Sequence, residues 1–511
     1  MQAATDTDVL ICGAGPTGLM LALRLARSGV RLRIVDAAAE PGTTSRALVV
    51  HARTLEFYRQ IGLVEEFLRV AMPFDAINLW IRGSRVARAP FGRIGEGASR
   101  YPFAVVCTQD RHERFLIEQL ERVGVRVERP TALVGFEQDA DRVRIRLERG
   151  DGGKEECEAR YLAGCDGIRS KVREGLGAGF PGGTYSHFFY VADVEARGPV
   201  MNGELHVAVD EADFMAIFPL NGGRTGRLIG IVHEEDEAVR QALTWDDVRG
   251  TAAEQLGVEV ERINWFSTYR VHHRVAERFQ QGRVFLLGDA AHVHSPAGGQ
   301  GMNTGLGDAV NLAWKLADVV HGRARETLLD SYAPERIAFA ERLVASTDRV
   351  FVLATSAGRL ARLIRTRIVP LVVPIAFRLG FFRRLMFRAV SQTGIHYRAC
   401  GLNAGSAGPV RGGDRLPWVE LNGGTTRTDN FAELDGVCWQ AHVYGKPGPG
   451  LPEACAKLDL PLRVFTWDPA MQRPGLVRDA LYLVRPDGHV GWVDASGDPT
   501  RLTGFLAGVR V

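Results

Sequence analysis

The chain has 511 residues, enough for two or three domains, because single hydrophobic cores rarely grow beyond about 250–300 residues. It is 46% apolar and 24% charged with a net charge of +3, and acidic and basic residues are interleaved along most of it. This balance argues against a nucleic-acid binder, which would concentrate Lys and Arg on one face.

Seven cysteines are scattered through the chain without any C-x-x-C pair. This argues against both a disulfide framework and a structural zinc site, and no metal site is predicted. The first residues contain acids but no apolar run, so a secretory signal is not expected. We therefore expect a cytoplasmic protein with free thiols.

The first predicted unit is a strand at 8–12, a helix at about 16–28 and a second strand at 32–36. The turn between strand and helix reads Gly13-Ala14-Gly15-Pro16-Thr17-Gly18. Its glycines allow a tight turn, close approach of a pyrophosphate and helix-on-strand packing. Asp36, at the end of the second strand, is placed to accept a hydrogen bond from a ribose hydroxyl. The pattern predicts a dinucleotide site in a parallel, doubly wound α/β sheet.

A second strand-turn-helix signal lies at residues 165–173, with Asp166 in the turn. Asp166 either caps the helix or contacts a cofactor, and the residues alone leave both open. Between about 176 and 282, short alternating segments separated by Gly, Asn and Asp predict a mostly antiparallel layer with a binding surface.

The strand-like run at 282–287 leads directly into Gly288-Asp289, and a glycine-rich segment, 295–303, then opens a helix. A carboxylate at such a turn can accept from a sugar-alcohol hydroxyl. The backbone N–H groups of the helix start can face the negative charge of a reduced flavin. No second G-x-G-x-x-G follows a strand after residue 40, so one nucleotide is expected to stay bound.

Helical sequence extends from 305 to about 397. Its most apolar part, 368–382, is too short for a membrane span and is interrupted by Pro370, Pro374 and Arg378. A buried or docking helix is predicted there, and membrane contact is not. A Gly/Pro/Ser-rich linker is predicted at 401–416, followed by a segment of about 95 residues with its own strands.

Together these motifs resemble the group A (single-component) flavoprotein aromatic hydroxylases, and the resemblance covers most of the chain. It implies a discontinuous, doubly wound (GR2-type) FAD-binding domain (1–175 and 283–400) and a mostly antiparallel β substrate domain (176–282). A thioredoxin-like domain (417–511) is implied at the C-terminus. Because that domain lacks C-x-x-C, a structural or dimer-contact role is expected for it.

The resemblance also implies site residues. The expected cofactor-binding residues are Gly13, Gly15, Pro16, Thr17, Gly18, Asp36, Arg46, Gln109, Asp166, Gly288, Asp289, Pro296, Gly299, Gly301, Met302 and Asn303. Arg46 and Pro296 are the catalytic candidates, and Phe218, Pro219, His206 and Tyr269 are the substrate-binding candidates. The residue that activates the substrate is left open.

The implied activity is hydroxylation of a phenolic or polycyclic aromatic ring. The implied reagents are non-covalently bound FAD, transient NADPH or NADH, and O2, reacting through a flavin C4a-hydroperoxide. Three alternatives stay open: Baeyer–Villiger insertion, oxidative inactivation of an antibiotic, and an oxidase or reductase without oxygen transfer. A monomer or homodimer is expected, without nucleic acid.

Overall fold

The computed structural model describes residues 7–42, 47–209, 214–220, 223–232, 243–248, 256–355, 358, 363–421 and 428–509. Within this part of the chain the architecture is mixed α/β, with two eight-stranded sheets, one six-stranded sheet and two small ones.

The strands and helices follow in chain order. Up to residue 175 they are β1 (Thr7–Cys12), α1 (Pro16–Arg27), β2 (Leu32–Val35), β3 (Val49–Val50), α2 (Ala52–Gln60), α3 (Val64–Val70), β4 (Met72–Pro73), β5 (Ala76–Ile81), β6 (Ser84–Pro90), β7 (Val105–Val106), α4 (Gln109–Arg122), β8 (Val127–Glu128), β9 (Thr131–Gln138), β10 (Val143–Arg149), β11 (Lys154–Gly164) and α5 (Lys171–Gly175). From there to residue 293 they are β12 (Gly182–Arg197), β13 (Leu205–Val209), β14 (Phe214–Leu220), β15 (Thr225–Val232), β16 (Glu259–Val275), β17 (Gln280–Gln281), β18 (Val284–Leu286) and β19 (His292–Val293).

The helical segment contains α6 (Gly301–Val320), α7 (Tyr332–Thr355), α8 (Val369–Arg378) and α9 (Gly380–Val390). The last part contains β20 (Ala404–Ala407), β21 (Val410–Arg411), β22 (Glu420–Leu421), β23 (Thr428–Asp429), β24 (Gln440–Tyr444), α10 (Leu451–Lys457), β25 (Leu462–Phe465), β26 (Leu481–Val484), β27 (Val490–Asp494) and α11 (Pro499–Val509). Short 3-10 turns lie at Gly288–Ala290, Ala297–Gly299, Glu326–Ser331 and Pro469–Gln472, and a π-turn at Ile364–Ile368.

The first sheet carries the predicted strand-helix-strand unit. Its order is β17-β18-β11-β1-β2-β8, and β1 pairs in parallel with both β11 and β2. Every residue of β1 is buried, as expected for a parallel strand that is covered by helices on both faces. The carboxyl ends of β1, β2, β11 and β18 therefore meet at one edge, where ligands bind in open α/β sheets.

The second sheet, β19-β16-β12-β15-β14-β13-β5-β6, is antiparallel except where β13 pairs with β5. Strands β5 and β6, from residues 76–90, lie outside the range predicted for the middle domain. Local patterning identifies a strand but not the sheet that it joins. One face of this sheet packs against the first domain through Phe189, Ile229 and Ile231, and we call it the inner face. The outer face, with Tyr190 and Leu228, forms a separate core.

Of the two alternatives predicted within 368–382, the buried helix is wrong and the docking helix stays a prediction. No residue of α8 is buried, and in α9 only Phe387 is. Helix α8 spans ten residues with Pro374 inside it and packs against β6, so most of its apolar surface has no neighbour to cover it. Among the described helices, none has the length and apolarity needed to cross a bilayer.

Part of the predicted linker is sheet. Strands β20 and β21 lie at the edge of the sheet β21-β20-β27-β26-β24-β25, and Ala404 pairs in parallel with Trp492. A Cβ on Gly405, whose φ is +79°, would lie 2.0 Å from the Val493 carbonyl oxygen. The glycines here permit close strand pairing in addition to chain reversal.

Candidate functional site

The glycine loop after β1 is shaped by backbone contacts on one side and open on the other. A Cβ on Gly13 (φ +102°) would lie 2.3 Å from the Cys165 carbonyl oxygen, and one on Gly18 would lie 2.0 Å from that of Gly13. No atom lies within 4 Å of a Cβ built on Gly15. The first and third glycines thus allow packing, and the second leaves backbone open to a ligand. Since Gly15 caps α1 without a side-chain hydrogen bond, its N-terminal N–H groups form an anion site.

Asp36 lies at the end of β2 and holds the same loop. Its carboxylate accepts hydrogen bonds from Ala14 N (2.6 Å) and Ala38 N (2.8 Å). It also forms an ion pair with Arg129, whose Nη1 lies 3.0 Å from Asp36 Oδ1. Sequence reasoning missed Arg129. It directly follows β8, and a charged residue at the carboxyl end of a parallel strand was the signal available for it.

Gln109 and Asp166 lie at helix starts around the same edge. Gln109 donates to Glu113 Oε1 (2.8 Å), and burial raises the pKa of Glu113. Asp166 accepts from Ser170 Oγ (2.5 Å) and Val172 N (3.1 Å), and burial raises its pKa. The contacts of Asp166 are those of a cap for α5, and its contact with a cofactor stays a prediction.

The Gly288-Asp289 turn lies against the starts of α1 and α6. Gly288 is buried with φ +58°, and a Cβ there would lie 2.7 Å from Thr17 Oγ1. A Cβ on Gly305 would lie 2.2 Å from the same oxygen. Asp289 is exposed beside this contact. The structure thus brings together the two motifs that the sequence assigned to the ends of one nucleotide.

Asp308 of α6 is a buried carboxylate that sequence reasoning missed. It accepts from Gly288 N (2.9 Å), His292 Nε2 (2.7 Å) and Arg336 Nε (2.5 Å). Burial would raise its pKa, but the charge of Arg336 holds the Asp308 pKa below its ordinary value. Its place in a helix that also contains Lys315 and Asp318 gave no sequence signal that set it apart.

The Asn303 side chain holds the loop that precedes α6 in place by hydrogen bonds. Its Oδ1 accepts from His51 N (2.9 Å) and Thr54 Oγ1 (2.8 Å), and its Nδ2 donates to the carbonyls of Val49 (2.8 Å) and Gly299 (3.0 Å). With its amide fully used within the protein, a ligand can meet only backbone here.

The rest of this loop leaves backbone available. Gly301, Met302 and Asn303 form the first turn of α6, whose N–H groups have no intrahelical acceptor. Pro296 is exposed, and Gly298 and Gly299 have φ of +77° and +62°. The N–H groups of Gly301, Met302 and Asn303 form a strip of backbone donors beside the Gly288-Asp289 turn. Backbone N–H groups stabilise negative charge, so this strip suits the predicted contact with a reduced flavin ring.

The second sheet brings two of the four substrate candidates to its inner face. Phe218 and Tyr269 are half-buried there, with Met302 in the same cluster. Pro219 is the next residue after Phe218 and by strand alternation belongs to the opposite face. Arg227 lies opposite Phe218 on the neighbouring strand. It is buried and forms an ion pair with Asp193 (Nε–Oδ1 2.6 Å), which sequence reasoning missed.

His206 is not part of this surface. It lies opposite Ile217 on the outer face, where its Nδ1 accepts from Trp80 Nε1 (2.9 Å) and its Nε2 lies 2.9 Å from Asn202 Oδ1. Burial lowers the pKa of His206 to about 4. The structure thus does not group it with Phe218 and Tyr269. Arg46, the remaining candidate, lies outside the described residues.

A comparison with family models matches residues 6–347 to the FAD binding domain family. A 6-methylpretetramide 4-monooxygenase from Streptomyces rimosus is 39% identical over 380 residues, which cover 73% of this chain and 65% of that relative. A 12-dehydrotetracycline 5-monooxygenase/anhydrotetracycline 6-monooxygenase from Streptomyces rimosus subsp. rimosus is 34% identical over 503 residues, covering 96% and 95%.

Among solved structures, a ternary complex of aklavinone-11 hydroxylase with FAD and aklavinone superposes with a TM-score of 0.81. It is 26% identical, and the match covers 99% of both chains. The fold and the two nucleotide motifs define an FAD-dependent monooxygenase of the aromatic hydroxylase class. The chain belongs to the FAD binding domain family.

Proposed function

We propose that the enzyme hydroxylates a polycyclic phenolic substrate at the expense of NAD(P)H and O2. One observation carries the proposal: the glycine loop after β1 and the Gly288-Asp289 turn meet at Thr17, where a Cβ on Gly288 would lie 2.7 Å from Thr17 Oγ1. Phe218 and Tyr269 give the second sheet an apolar inner face that suits a flat ring system. The names of the relatives, which refer to 6-methylpretetramide, 12-dehydrotetracycline, anhydrotetracycline and aklavinone, support this substrate class.

We assign the cofactor contacts to the residues predicted from the sequence, together with Arg129. The α1 start would hold the pyrophosphate, Asp36 and Arg129 the adenosine end, and Asp289 the ribityl hydroxyls. Bound FAD would supply the hydride acceptance and the oxygen activation. The loop from Gly299 to Asn303 would line the ring, and the backbone N–H groups of Gly301, Met302 and Asn303 would stabilise its negative charge. The predicted roles of Arg46, Gln109 and Pro296 remain part of this proposal.

The inner face supplies the dry environment that oxygen transfer needs. Phe189 is buried and its ring centroid lies 5.8 Å from that of Tyr269. Trp265 lies with its ring centroid 5.4 Å from the Arg227 guanidinium carbon. We propose that these side chains orient the substrate and exclude water from it, so that activated oxygen is transferred rather than released as peroxide.

We also propose the finer domain architecture. Parallel pairing of β1, β2 and β11 supports a GR2-type FAD domain with the boundaries 1–175 and 283–400, and β12–β16 support a substrate domain centred on 176–282. The order β24-α10-β25-β26-β27-α11, parallel and then antiparallel, supports a thioredoxin-like unit at 417–511. All seven cysteines are unpaired, which supports a reducing compartment such as the cytoplasm.

Oxygen-isotope labelling of the product tests the proposed reaction. FAD-loaded enzyme is supplied with NADPH or NADH and a panel of phenols, naphthols and tetracyclic polyketides under 18O2. We expect NAD(P)H consumption to rise with a polycyclic phenol and the product to gain one 18O as a hydroxyl group. Unlabelled product with stoichiometric H2O2 would indicate an oxidase or reductase. A ring-expanded ester would indicate Baeyer–Villiger insertion.

A further inference from the structure

The outward side of helices α8 and α9 exposes an unusual amount of apolar surface. Six of its side chains are each more than half exposed: Leu371, Val372, Ile375, Leu379, Phe381 and Leu385. Of the twelve large apolar side chains that are exposed in the described residues, eight lie between 363 and 385. Because exposed apolar side chains are normally scattered, this concentration marks an interaction surface. We call the six residues the α8–α9 surface.

The same segment has an unusual charge. Residues 349–413 contain eleven arginines and no aspartate, glutamate or lysine, although the whole chain has a net charge of only +3. Arg378, Arg384 and Arg388 are exposed on these two helices. Within the part of the chain that the structure describes, none of the three forms an ion pair. The apolar side chains are therefore surrounded by uncompensated positive charge.

The opposite side of the helix pair is anchored in the protein. Phe387 is buried, and its ring lies so close to Gly95 that a Cβ there would be 2.3 Å from Phe387 Cζ. Phe377 and Met386 pack against the main core. These contacts fix the orientation of the two helices, so the α8–α9 surface faces away from the protein. The helices have ten and eleven residues and are each about 15 Å long. This is about half the thickness of a bilayer core, so neither helix is long enough to span it.

We propose that the α8–α9 surface docks the enzyme on an anionic lipid bilayer, with both helices lying in the plane of the interface. Exposed Leu, Ile and Phe side chains enter the headgroup–acyl boundary, and the arginines meet lipid phosphates. A second copy of the chain would bring two arginine-rich segments together, and an apolar protein partner would leave the arginines unpaired. An anionic lipid surface satisfies both features. The proposal is independent of the proposed substrate.

Vesicle cosedimentation of the FAD-loaded enzyme tests this docking. Vesicles of phosphatidylcholine with about 30% phosphatidylglycerol are compared with pure phosphatidylcholine, at about 0.1 M and about 0.5 M salt. We expect the enzyme to sediment with the anionic vesicles at low salt and to be largely released at high salt. Failure to bind the anionic vesicles, or equal binding to neutral ones, would overturn the proposal.

Two variants and a control localise the contact. Leu371→Ser/Ile375→Ser removes apolar side chains, and Arg378→Gln/Arg384→Gln/Arg388→Gln removes charge. Each should lower the vesicle partition coefficient by about tenfold or more. Val134→Ser/Val464→Ser, at side chains that are 57% and 49% exposed elsewhere, should leave it unchanged. Flavin absorbance and turnover should be normal in all three.

An equal loss of binding in the control, or normal binding in both surface variants, would contradict the assignment. So would a dimer in solution that the α8–α9 substitutions dissociate while vesicles are not bound.

Discussion

Asp308 holds the Gly288-Asp289 turn in place from inside the protein. It joins Gly288 N to Arg336, which also donates to Tyr397 OH (2.8 Å) and Thr304 O (3.1 Å). Asp308→Asn removes the carboxylate and leaves the Arg336 guanidinium buried without its counter-charge. We expect a destabilisation of about 3–5 kcal/mol and a weaker affinity for FAD, measured by thermal unfolding and by flavin fluorescence titration.

Glu174 provides a control for this substitution at the surface. It pairs with Lys171, and the two side chains are 56% and 66% exposed, so Glu174→Gln should change the unfolding free energy very little. Equal effects of the two substitutions on FAD affinity would show that Asp308 has no special link to the turn.

Asp289 lies in the turn that Asp308 holds, and it is predicted to accept hydrogen bonds from the ribityl hydroxyls of FAD. Asp289→Asn keeps the size of this exposed side chain and removes its charge. FAD affinity should fall about tenfold, the effect of one lost charge-assisted hydrogen bond. The measurement is the absorbance of flavin retained after gel filtration. Full retention with normal turnover would remove the role assigned to Asp289.

Single residues differ in how far the sequence reveals them. Gly13 and Gly18 could be identified because contacts at 2.3 Å and 2.0 Å exclude any side chain, so the structure dictates the residue type. Asp308 and Arg129 could not, since a charged residue in a helix or after a strand is compatible with solvent. The sequence could not show that His206 lies on the other face from Phe218 and Tyr269, because strand register decides which way a side chain points.

At the scale of elements, α1, the Gly288 turn and α6 meet around Thr17. The sequence contains the glycines of this contact, but only the tertiary packing shows that Gly305 belongs to it. A Cβ at Gly305 would lie 2.2 Å from Thr17 Oγ1 but 3.5 Å from Thr17 Cβ and 3.2 Å from Gly288 Cα. Gly305→Ala should therefore lower stability by about 1–3 kcal/mol through overpacking.

Removing the clashing hydroxyl gives the internal test of that prediction. In the double variant Thr17→Ala/Gly305→Ala, the short contact is gone, so we expect a favourable coupling energy of about 1 kcal/mol or more in a double-mutant cycle. Strictly additive effects on the unfolding free energy would show that the two residues do not meet as described.

Elements at 401–416 and 368–382 show where local reasoning failed. Composition identified Gly405 as part of a linker, yet pairing with Val493, nearly ninety positions away, makes it a strand residue. Apolarity could not decide between a buried and a docking helix at α8, because burial depends on whether another element is available to cover it. The strand-helix-strand unit at the start succeeded because its pattern, its turn and its terminal acid are all local.

At the scale of the whole molecule, buried ion pairs join the last domain to the rest. Arg485, next to the β26–β27 turn, pairs with Glu335 of α7 (2.6 Å) and with Asp487 (2.6 Å), and Lys315 of α6 reaches Glu335 (2.8 Å). Arg485→Met would leave two carboxylates buried with less compensation. We expect a loss of about 3–5 kcal/mol and a thermal transition that is less cooperative by calorimetry.

Arg463 is the matched control in the same domain, since it is 37% exposed and lies 3.5 Å from Glu433. Arg463→Met should change the unfolding free energy by less than about 1 kcal/mol. If Arg463→Met lowered the unfolding free energy as much as Arg485→Met, the buried ion pairs would not be what couples the domains.

Buried histidines give the molecule a characteristic response to acid. Burial lowers the pKa of His51 and His489 to about 4, and that of His112 and His442 to about 3. In the unfolded chain a histidine titrates near about 6.5, so at intermediate pH the unfolded state binds protons that the native state does not. Stability is therefore fully present above about pH 6.5 and falls as the pH drops toward about 4. The lowered pKa values of Asp308 and Glu335 place the loss of their ion pairs at lower pH still.

Unfolding free energy measured across this range should fall by about 1.4 kcal/mol per pH unit for each histidine that remains neutral. His442 is buried, and its Nε2 lies 3.2 Å from Gln440 Oε1. His442→Gln should reduce the slope by one such increment. A slope that His442→Gln does not alter would mean that this imidazole is protonated in the native protein, and the acid sensitivity would then have to arise from the carboxylates alone.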